Sequence, residues 1–292
     1  MSSLVTLGPP PALPDAASLL AKQEALLAEL RKLGSVLVAY SGGTDSAYLA
    51  WAAQQALGPN AIAVLADSHS IPESHKRDAR EFAAEFGIRY EVIFTQEFEN
   101  PDYARNDGDR CFHCKDELFI QMQAFGQQMG ISQIVYGVNK DDLGDYRPGQ
   151  RAAKIHQVDA PLVKADLSKA EIRELSRVAG LPTWNRPAAA CLSSRIAYGM
   201  QVTPENVKQV ETGEEQLRAL GFRQFRVRHH GDLARIEIAR DEMERALTME
   251  MAGEFTRIFK ALGFHFVTLD LQGYRQGSMN ESLGVAVGNG GR

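Results

Sequence analysis

The chain has 292 residues, enough for one large domain or two modest ones, with the 44% hydrophobic and 24% charged content of ordinary globular proteins. A net charge of -5 gives no broad basic footprint for nucleic acid, and the apolar runs fall far short of the roughly 18 residues a membrane span needs. Three cysteines, an odd number, do not make a secreted disulfide scaffold, so the cytoplasm is the expected compartment and a small molecule the expected substrate.

Residues 1–14 are proline-rich, have no basic flank before an apolar core, and read as a loose lead-in rather than a signal peptide. Leucines at 19, 20, 26, 27, 30 and 33 share one face of a helix over 16–33, ended by Gly34. SVLVAY reads as a buried strand and DSAYLAWAAQQAL as the next helix, stopped by Gly58 and Pro59. AIAVLAD is a second buried strand, ESHKRDAREFAAEF a helix closed by Gly87, and YEVIF a third strand. A helix near 115–129 precedes a fourth strand, QIVYGV. Continuous apolar strands alternating with helices predict an α/β fold with a doubly wound parallel sheet.

The rhythm changes after about residue 197. Thr203 and Pro204 start a helix that runs to Gly221; QFRVRHH and ARIEIA follow as alternating strands, then a helix near 240–262 and the strand HFVTLDL. Alternation implies a sheet with one wet face. The expected organisation is a lead-in over 1–14, a first domain over 15–197, a second, smaller α/β domain over 198–285, and a tail over 286–292.

Between the first strand and its helix stands SGGTDS, residues 41–46. Successive N–H groups in a glycine-rich turn that opens a helix form an anion site. Gly42 and Gly43 let the backbone approach a ligand, Ser41, Thr44 and Ser46 add hydroxyls, and Asp45 is a candidate Mg²⁺ ligand. A loop reaching for a γ-phosphate normally carries a lysine, which this one lacks, so it reads as a holder of departing pyrophosphate. The spacing resembles the PP-loop ATP pyrophosphatases, whose fold is that of the adenine nucleotide alpha hydrolases. That resemblance implies cleavage of ATP between its α- and β-phosphates, with Ser41, Gly42, Gly43, Asp45 and Ser46 on the pyrophosphate. Ala39, Asp67, Ser68 and Gly137 complete the expected ATP-binding set; ligands of open α/β sheets gather at strand C-termini.

RCFHCK places Cys111 and Cys114 in a C-x-x-C, and Cys191 stands apart. Such a pair serves as a redox couple, as half of a zinc site, or as part of an iron–sulfur cluster. A third distant cysteine fits a cluster held by three thiolates with one iron open.

Three further stretches, YGVNKDDLGDYRPG at 136–149, CLSSRIAYG at 191–199 and LGFRQFRVRHHGDLARIEI at 220–238, join SGGTDS in resembling the ATP-dependent sacrificial sulfur transferase family, LarE. The resemblance runs from about Leu30 to Asn280. It implies adenylation of a carboxylate of pyridinium-3,5-biscarboxylic acid mononucleotide and its conversion to a thiocarboxylate, on the way to a nickel-pincer cofactor. It also implies ATP, Mg²⁺ and a homo-oligomer. Of the family's two donor types, one sacrifices a single cysteine and the other carries a 4Fe-4S cluster on three. Cys111, Cys114 and Cys191 make this chain resemble the cluster type, with a sulfide-delivering partner; Cys191 as a sacrificial donor is the second mechanism. Rival readings are a PP-loop tRNA thiolase, an amidotransferase-type synthetase, and a nucleotide-binding module without turnover.

The second domain supports a site independently. Val207, Val210 and Leu217 share a helix stripe that includes Glu214, a carboxylate in need of a partner. Arg226, Arg228, Arg235 and Glu237 share one face of the two alternating strands, fit to clamp phosphate and carboxylates. The family uses positions matching Glu214, Arg226 and Arg228 around the substrate, and Arg195 joins them in holding an anionic one. Asp141, Asp142, Asp145, Tyr146 and Arg147 cluster after the fourth strand, where a metal-binding carboxylate is expected.

Overall fold

The leucine stripe of the first helix buries as its spacing predicts. α1 (Ala16–Leu33) packs Leu19, Leu26, Leu27 and Leu30 inward, is capped by the Asp15 side chain, and ends at Gly34 with φ 73°. The computed structural model describes residues 15–144, 148–186, 190–275 and 277–279. The lead-in over 1–14, Asp145, Tyr146 and Arg147 of the aspartate cluster, and the tail over 286–292 lie outside the described residues.

β1 (Val36–Ala39), α2 (Thr44–Leu57), β2 (Ala61–Asp67), α3 (Glu73–Glu85) and β3 (Tyr90–Phe94) follow in strict alternation. A single turn, α4 (Pro101–Ala104), precedes α5 (Arg110–Met129) and β4 (Ile134–Tyr136). The four strands are parallel in the order β3-β2-β1-β4, with Leu37 opposite both Ile62 and Ile134. The chain steps outward from β1 to β3 and then returns to place β4 on the other side of β1. That reversal opens a crevice at the carboxyl ends of β1 and β4. Apolar cores fill both faces, one around Leu26, Tyr48 and Leu65, the other around Leu37, Phe119 and Met122. The sheet is the doubly wound α/β arrangement that the apolar strands imply.

α5 begins at Arg110, five residues ahead of the expected start, so the C-x-x-C lies in its first turn. RCFHC has no apolar period, and the sequence therefore hid that turn. α6 (Pro148–Ile155), the single turn α7 (Pro161–Lys164) and α8 (Lys169–Val178) follow, none of them read from the sequence. α8 starts on a capping box between Ser168 and Glu171.

In the second sheet, α9 (Pro204–Ala219) starts where expected, with Thr203 Oγ1 accepting from Asn206 N at 3.2 Å. β5 (Phe225–His230) and β6 (Leu233–Ile238) pair antiparallel, and β7 (Phe266–Leu269) joins β6 in parallel. The helix expected over 240–262 is broken into α10 (Met243–Ala246) and α11 (Met249–Ala261), because Thr248 caps a new helix. The core beneath contains Phe225, Val227, Ile236 and Phe259, and recruits Tyr103, Leu192 and Ile196 from earlier in the chain.

The expected wet face of this sheet is a correction. Residues 270–275 and 277–279 fold over it, leaving Glu237 0% and Arg228 6% exposed. Glu237 accepts from Arg228 at 2.8 Å, Arg235 at 2.9 Å and Ser278 at 2.7 Å, and Arg235 also binds Asp270. Charges on alternating positions signal water when nothing covers them; here two guanidinium forks share the Glu237 carboxylate under a cover. Glu237→Leu leaves two guanidiniums without this partner. It should lower unfolding free energy by about 3–5 kcal/mol, measured as a fall in the urea midpoint; an unchanged midpoint would show that the network contributes nothing.

Candidate active site

SGGTDS occupies the crevice between β1 and β4. Gly42 holds φ 73°, and a Cβ there would stand 3.1 Å from the Ala79 Cβ, so the turn needs glycine's freedom. Ser46 Oγ accepts from Ser41 N at 3.2 Å and donates to Gly43 O at 3.1 Å, drawing the loop around the start of α2. Gly137, after β4, approaches so closely that a Cβ would lie 2.8 Å from Ser46 N. Thr44 Oγ1 donates to Thr183 O at 2.8 Å and anchors the turn from outside.

Asp45 is the loop's buried charge. Its Oδ2 accepts from Lys169 Nζ at 2.7 Å, while Oδ1 is buried without a partner among the described residues. Burial raises its carboxyl against the pull of Lys169. Asp141 caps the same lysine's helix, accepting from Lys169 N at 2.8 Å, and Asp142 accepts from Asn139 N at 3.0 Å. At the end of β2, Asp67 pairs with Lys76. Ser68 is engaged with Ser70 Oγ at 2.8 Å and with the buried Glu97.

A cleft of about 1080 Å³ lies between the start of α3 and the second sheet. Its walls are the start of α3, with His75, Arg77 and Asp78, and one face of α9, with Glu211, Glu214 and Arg218, closed by Arg226 and Tyr274. Arg186 joins cleft to loop, donating to Gly42 O at 2.9 Å and to Asp78 at 3.0 Å. Deep in the cleft Arg195 Nε donates to Glu214 at 3.0 Å, with the two side chains 3% and 9% exposed. Burial alone would raise the Glu214 carboxyl, but the Arg195 guanidinium outweighs it and holds the group below its ordinary range. Arg226 lies 5.2 Å from the Tyr274 ring centroid, and burial beside Arg195 lowers its pKa. Arg77, Arg218 and Arg226 have no carboxylate partner among the described residues, which leaves the cleft able to take an anion.

The cysteines share a neighbourhood on the other side of the Cys191 turn. Cys111 is exposed, while Cys114 and Cys191 are half-buried; burial pushes the Cys114 thiol up, and each of the three bears on the others electrostatically. The donor set is three thiols with no histidine among them, which fits a three-thiolate cluster in kind. Among the described residues no group of three His, Cys, Asp or Glu side chains is already gathered about a metal-sized point.

The family model described as NAD synthase matches residues 22–102, the segment that carries the loop. The pyridinium-3,5-bisthiocarboxylic acid mononucleotide synthase of Lactiplantibacillus plantarum is 35% identical over 269 residues, covering 91% of this chain and 96% of that protein. The chain belongs to the LarE family. An uncharacterized protein of Synechocystis sp. is 42% identical, covering 86% of this chain and 94% of its own length. Another, from Methanocaldococcus jannaschii, is 27% identical over 85% of this chain and 94% of its own. No helix among the described residues is long and apolar enough to cross a membrane.

The LarE positions read from the sequence fall into three places. Ala39, Ser41, Gly42, Gly43, Asp45, Ser46 and Gly137 meet at the crevice. Arg195, Glu214 and Arg226 line the cleft, whereas Arg228 stands behind its wall, engaged with Glu237 and Ser278. Cys191 lies at the junction, its carbonyl held by Arg195 Nη1 at 2.8 Å and Leu192 N donating to Ser70 O at 2.8 Å. Sequence reasoning missed Lys169 and Arg186, which touch the loop from distant segments with no local motif around them. Because Glu214 ionises more readily folded than unfolded, it contributes stability above its ordinary value of 4.5, and loses that contribution as pH falls through the lower folded value. Glu214→Gln should therefore be about 3 kcal/mol less stable than the parent at neutral pH. That gap should narrow below about pH 4. Urea titrations across pH check both; a constant gap contradicts the pairing.

Proposed function

We propose that this chain is an ATP-dependent sulfur transferase that converts a carboxylate of pyridinium-3,5-biscarboxylic acid mononucleotide to a thiocarboxylate, a step toward a nickel-pincer cofactor. The observation that carries the reading is the near full-length match to the Lactiplantibacillus plantarum synthase. The chemistry of the crevice and cleft agrees with it.

In this reading residues 15–197 activate ATP and residues 198–285 hold the acceptor. A carboxylate oxygen is a poor leaving group, so it must first be adenylated. The substrate carboxylate attacks the α-phosphorus, the bond to the bridging oxygen breaks, and pyrophosphate leaves into the N–H and hydroxyl groups of Ser41, Gly42, Gly43 and Ser46. Asp45, whose Oδ1 lacks a partner, serves a Mg²⁺ ion on the phosphates. Asp67 and Ser68 border the adenosine. Arg226 and Arg195 orient the anionic acceptor, Glu214 keeps Arg195 in place, and Arg228 supports the wall behind them. A sulfur nucleophile then attacks the acyl carbon and AMP leaves. Cys111, Cys114 and Cys191 would hold a 4Fe-4S cluster, which supplies an exchangeable sulfide when bound. The proposal includes a homo-oligomer and a sulfide-delivering partner.

One observation favours a second donor mechanism. Cys191 alone of the three is tied to the cleft, through Arg195. If it gives up its own sulfur, its thiolate attacks the acyl carbon and displaces AMP, and loss of the Cα proton with cleavage of the Cβ–S bond then leaves the thiocarboxylate and dehydroalanine.

AMP release should depend on the pyridinium dicarboxylate nucleotide and fall at least about 100-fold in Asp45→Ala. Release with tRNA but not with that nucleotide would transfer the protein to the thiolases. Anaerobically purified protein should contain iron and labile sulfide, and Cys111→Ser should lose both. An iron-free protein whose Cys191 loses the elements of hydrogen sulfide during turnover would establish the sacrificial mechanism instead.

A further inference from the structure

Arg110 is a buried charge for which the proposed reaction has no use. Its residue is 4% exposed; the oxygens it binds, Asn106 Oδ1 and Ser193 O at 2.9 Å, are neutral, and its further hydrogen-bond partner is the Cys111 sulfur. No carboxylate pairs with it among the described residues. A guanidinium taken out of water costs several kcal/mol unless an anion accompanies it. The groups about it that become anionic when they ligate a metal are the thiols of Cys191 and Cys111.

The backbone around Arg110 is arranged to hold it. Asn106 sits at φ 61°, a left-handed conformation that asparagine tolerates better than most residues. Its Nδ2 donates to Ile196 O at 3.3 Å and Ala197 O at 2.8 Å, while its Oδ1 receives Arg110. Tyr103 and Ser193 hydroxyls meet at 2.7 Å. Residues 103–110 thus grip the turn that follows Cys191, and Arg110 is the first residue of the helix carrying Cys111 and Cys114. One side chain ties the two cysteine segments together and places its charge between them.

We propose that Arg110 is the counter-charge and positioning residue of the three-cysteine site, setting the Cys191 turn against α5 and balancing the negative charge of sulfur ligands held there. The inference rests on the cluster reading above. A fixed positive charge beside a thiolate-held cluster favours its more reduced, more negative state. Charge and geometry separate by substitution: Arg110→Lys keeps the charge without the planar fork, and Arg110→Met removes the charge.

The test is anaerobic reconstitution of the full chain with iron and sulfide, read by metal content and by midpoint potential. Arg110→Met should shift the potential to more negative values, and Arg110→Lys should restore it toward that of the parent while binding less iron. A merely structural arginine would lower iron content in both variants and leave the potential of the loaded fraction unchanged, which overturns the inference alone. If Arg110→Met fails to fold, Arg110→Lys decides: parental iron content would overturn the positioning role. A parent protein that takes up neither iron nor sulfide overturns the cluster reading and this inference with it.

Discussion

Arg195 and Glu214 are both almost wholly removed from water, and neither is tolerable there alone. Breaking such a pair leaves an uncompensated charge in a medium that solvates it poorly. The two residues therefore act as a fastener between the elements that bear them. Arg195 also holds the carbonyls of Ala190 and Cys191, at 2.7 and 2.8 Å, and Glu214 also accepts from Val227 N at 3.3 Å. One ion pair thus joins the Cys191 turn, the helix that walls the cleft, and the first strand of the second sheet. The place of Cys191 relative to the arginines of the cleft follows from it.

The cleft's charge is divided by pairing rather than by count. Arg186 is committed to Asp78, and Arg195 to Glu214, while Arg223 faces Asp241 and Glu242 at the rim. What remains for a ligand is Arg226, Arg218 and Arg77. Guanidinium forks match phosphate and carboxylate geometry, so this remainder suits a small molecule bearing both. The carboxylates at the rim disfavour a long polyanion such as RNA, in the same sense as the net charge of -5.

Much of the fold was legible because burial leaves a periodic signal. α1 carries that signal on its leucines, and β1, β2 and β4 carry it as unbroken apolar runs. The reading failed where the signal was replaced by chemistry or by cover. The start of α5 carries RCFHC, in which Phe112 packs on one core and Cys114 on another, so no single apolar face repeats. β5 and β6 alternate as a half-wet sheet should, but residues 270–275 and 277–279 cover the charged face, and no pattern in the strands announces that cover. In the site, the loop was readable as a local motif, and Glu214 as a carboxylate in an apolar stripe. Lys169, Arg186 and Arg110 were not readable, because each acts on a segment far from it in sequence or from inside an unremarkable run.

The lysine absent from SGGTDS is the sharpest example. Its loop offers neutral donors, yet a lysine does reach it, from the first turn of a helix 124 residues away from Asp45. Lys169 now neutralises the one carboxylate the loop carries. A phosphate entering the crevice competes for that ammonium, and a cation entering with the phosphate competes for the carboxylate. On the adenylation reading the two exchanges support each other, because each removes the partner that the other group would otherwise keep. The buried, unpartnered Asp45 Oδ1 is ready to serve a cation at once, with no ordering of a flexible side chain to oppose it. A lysine fixed in the loop itself would sit permanently beside the phosphates. On the same reading, one held by Asp45 until nucleotide arrives would make metal and ATP binding interdependent.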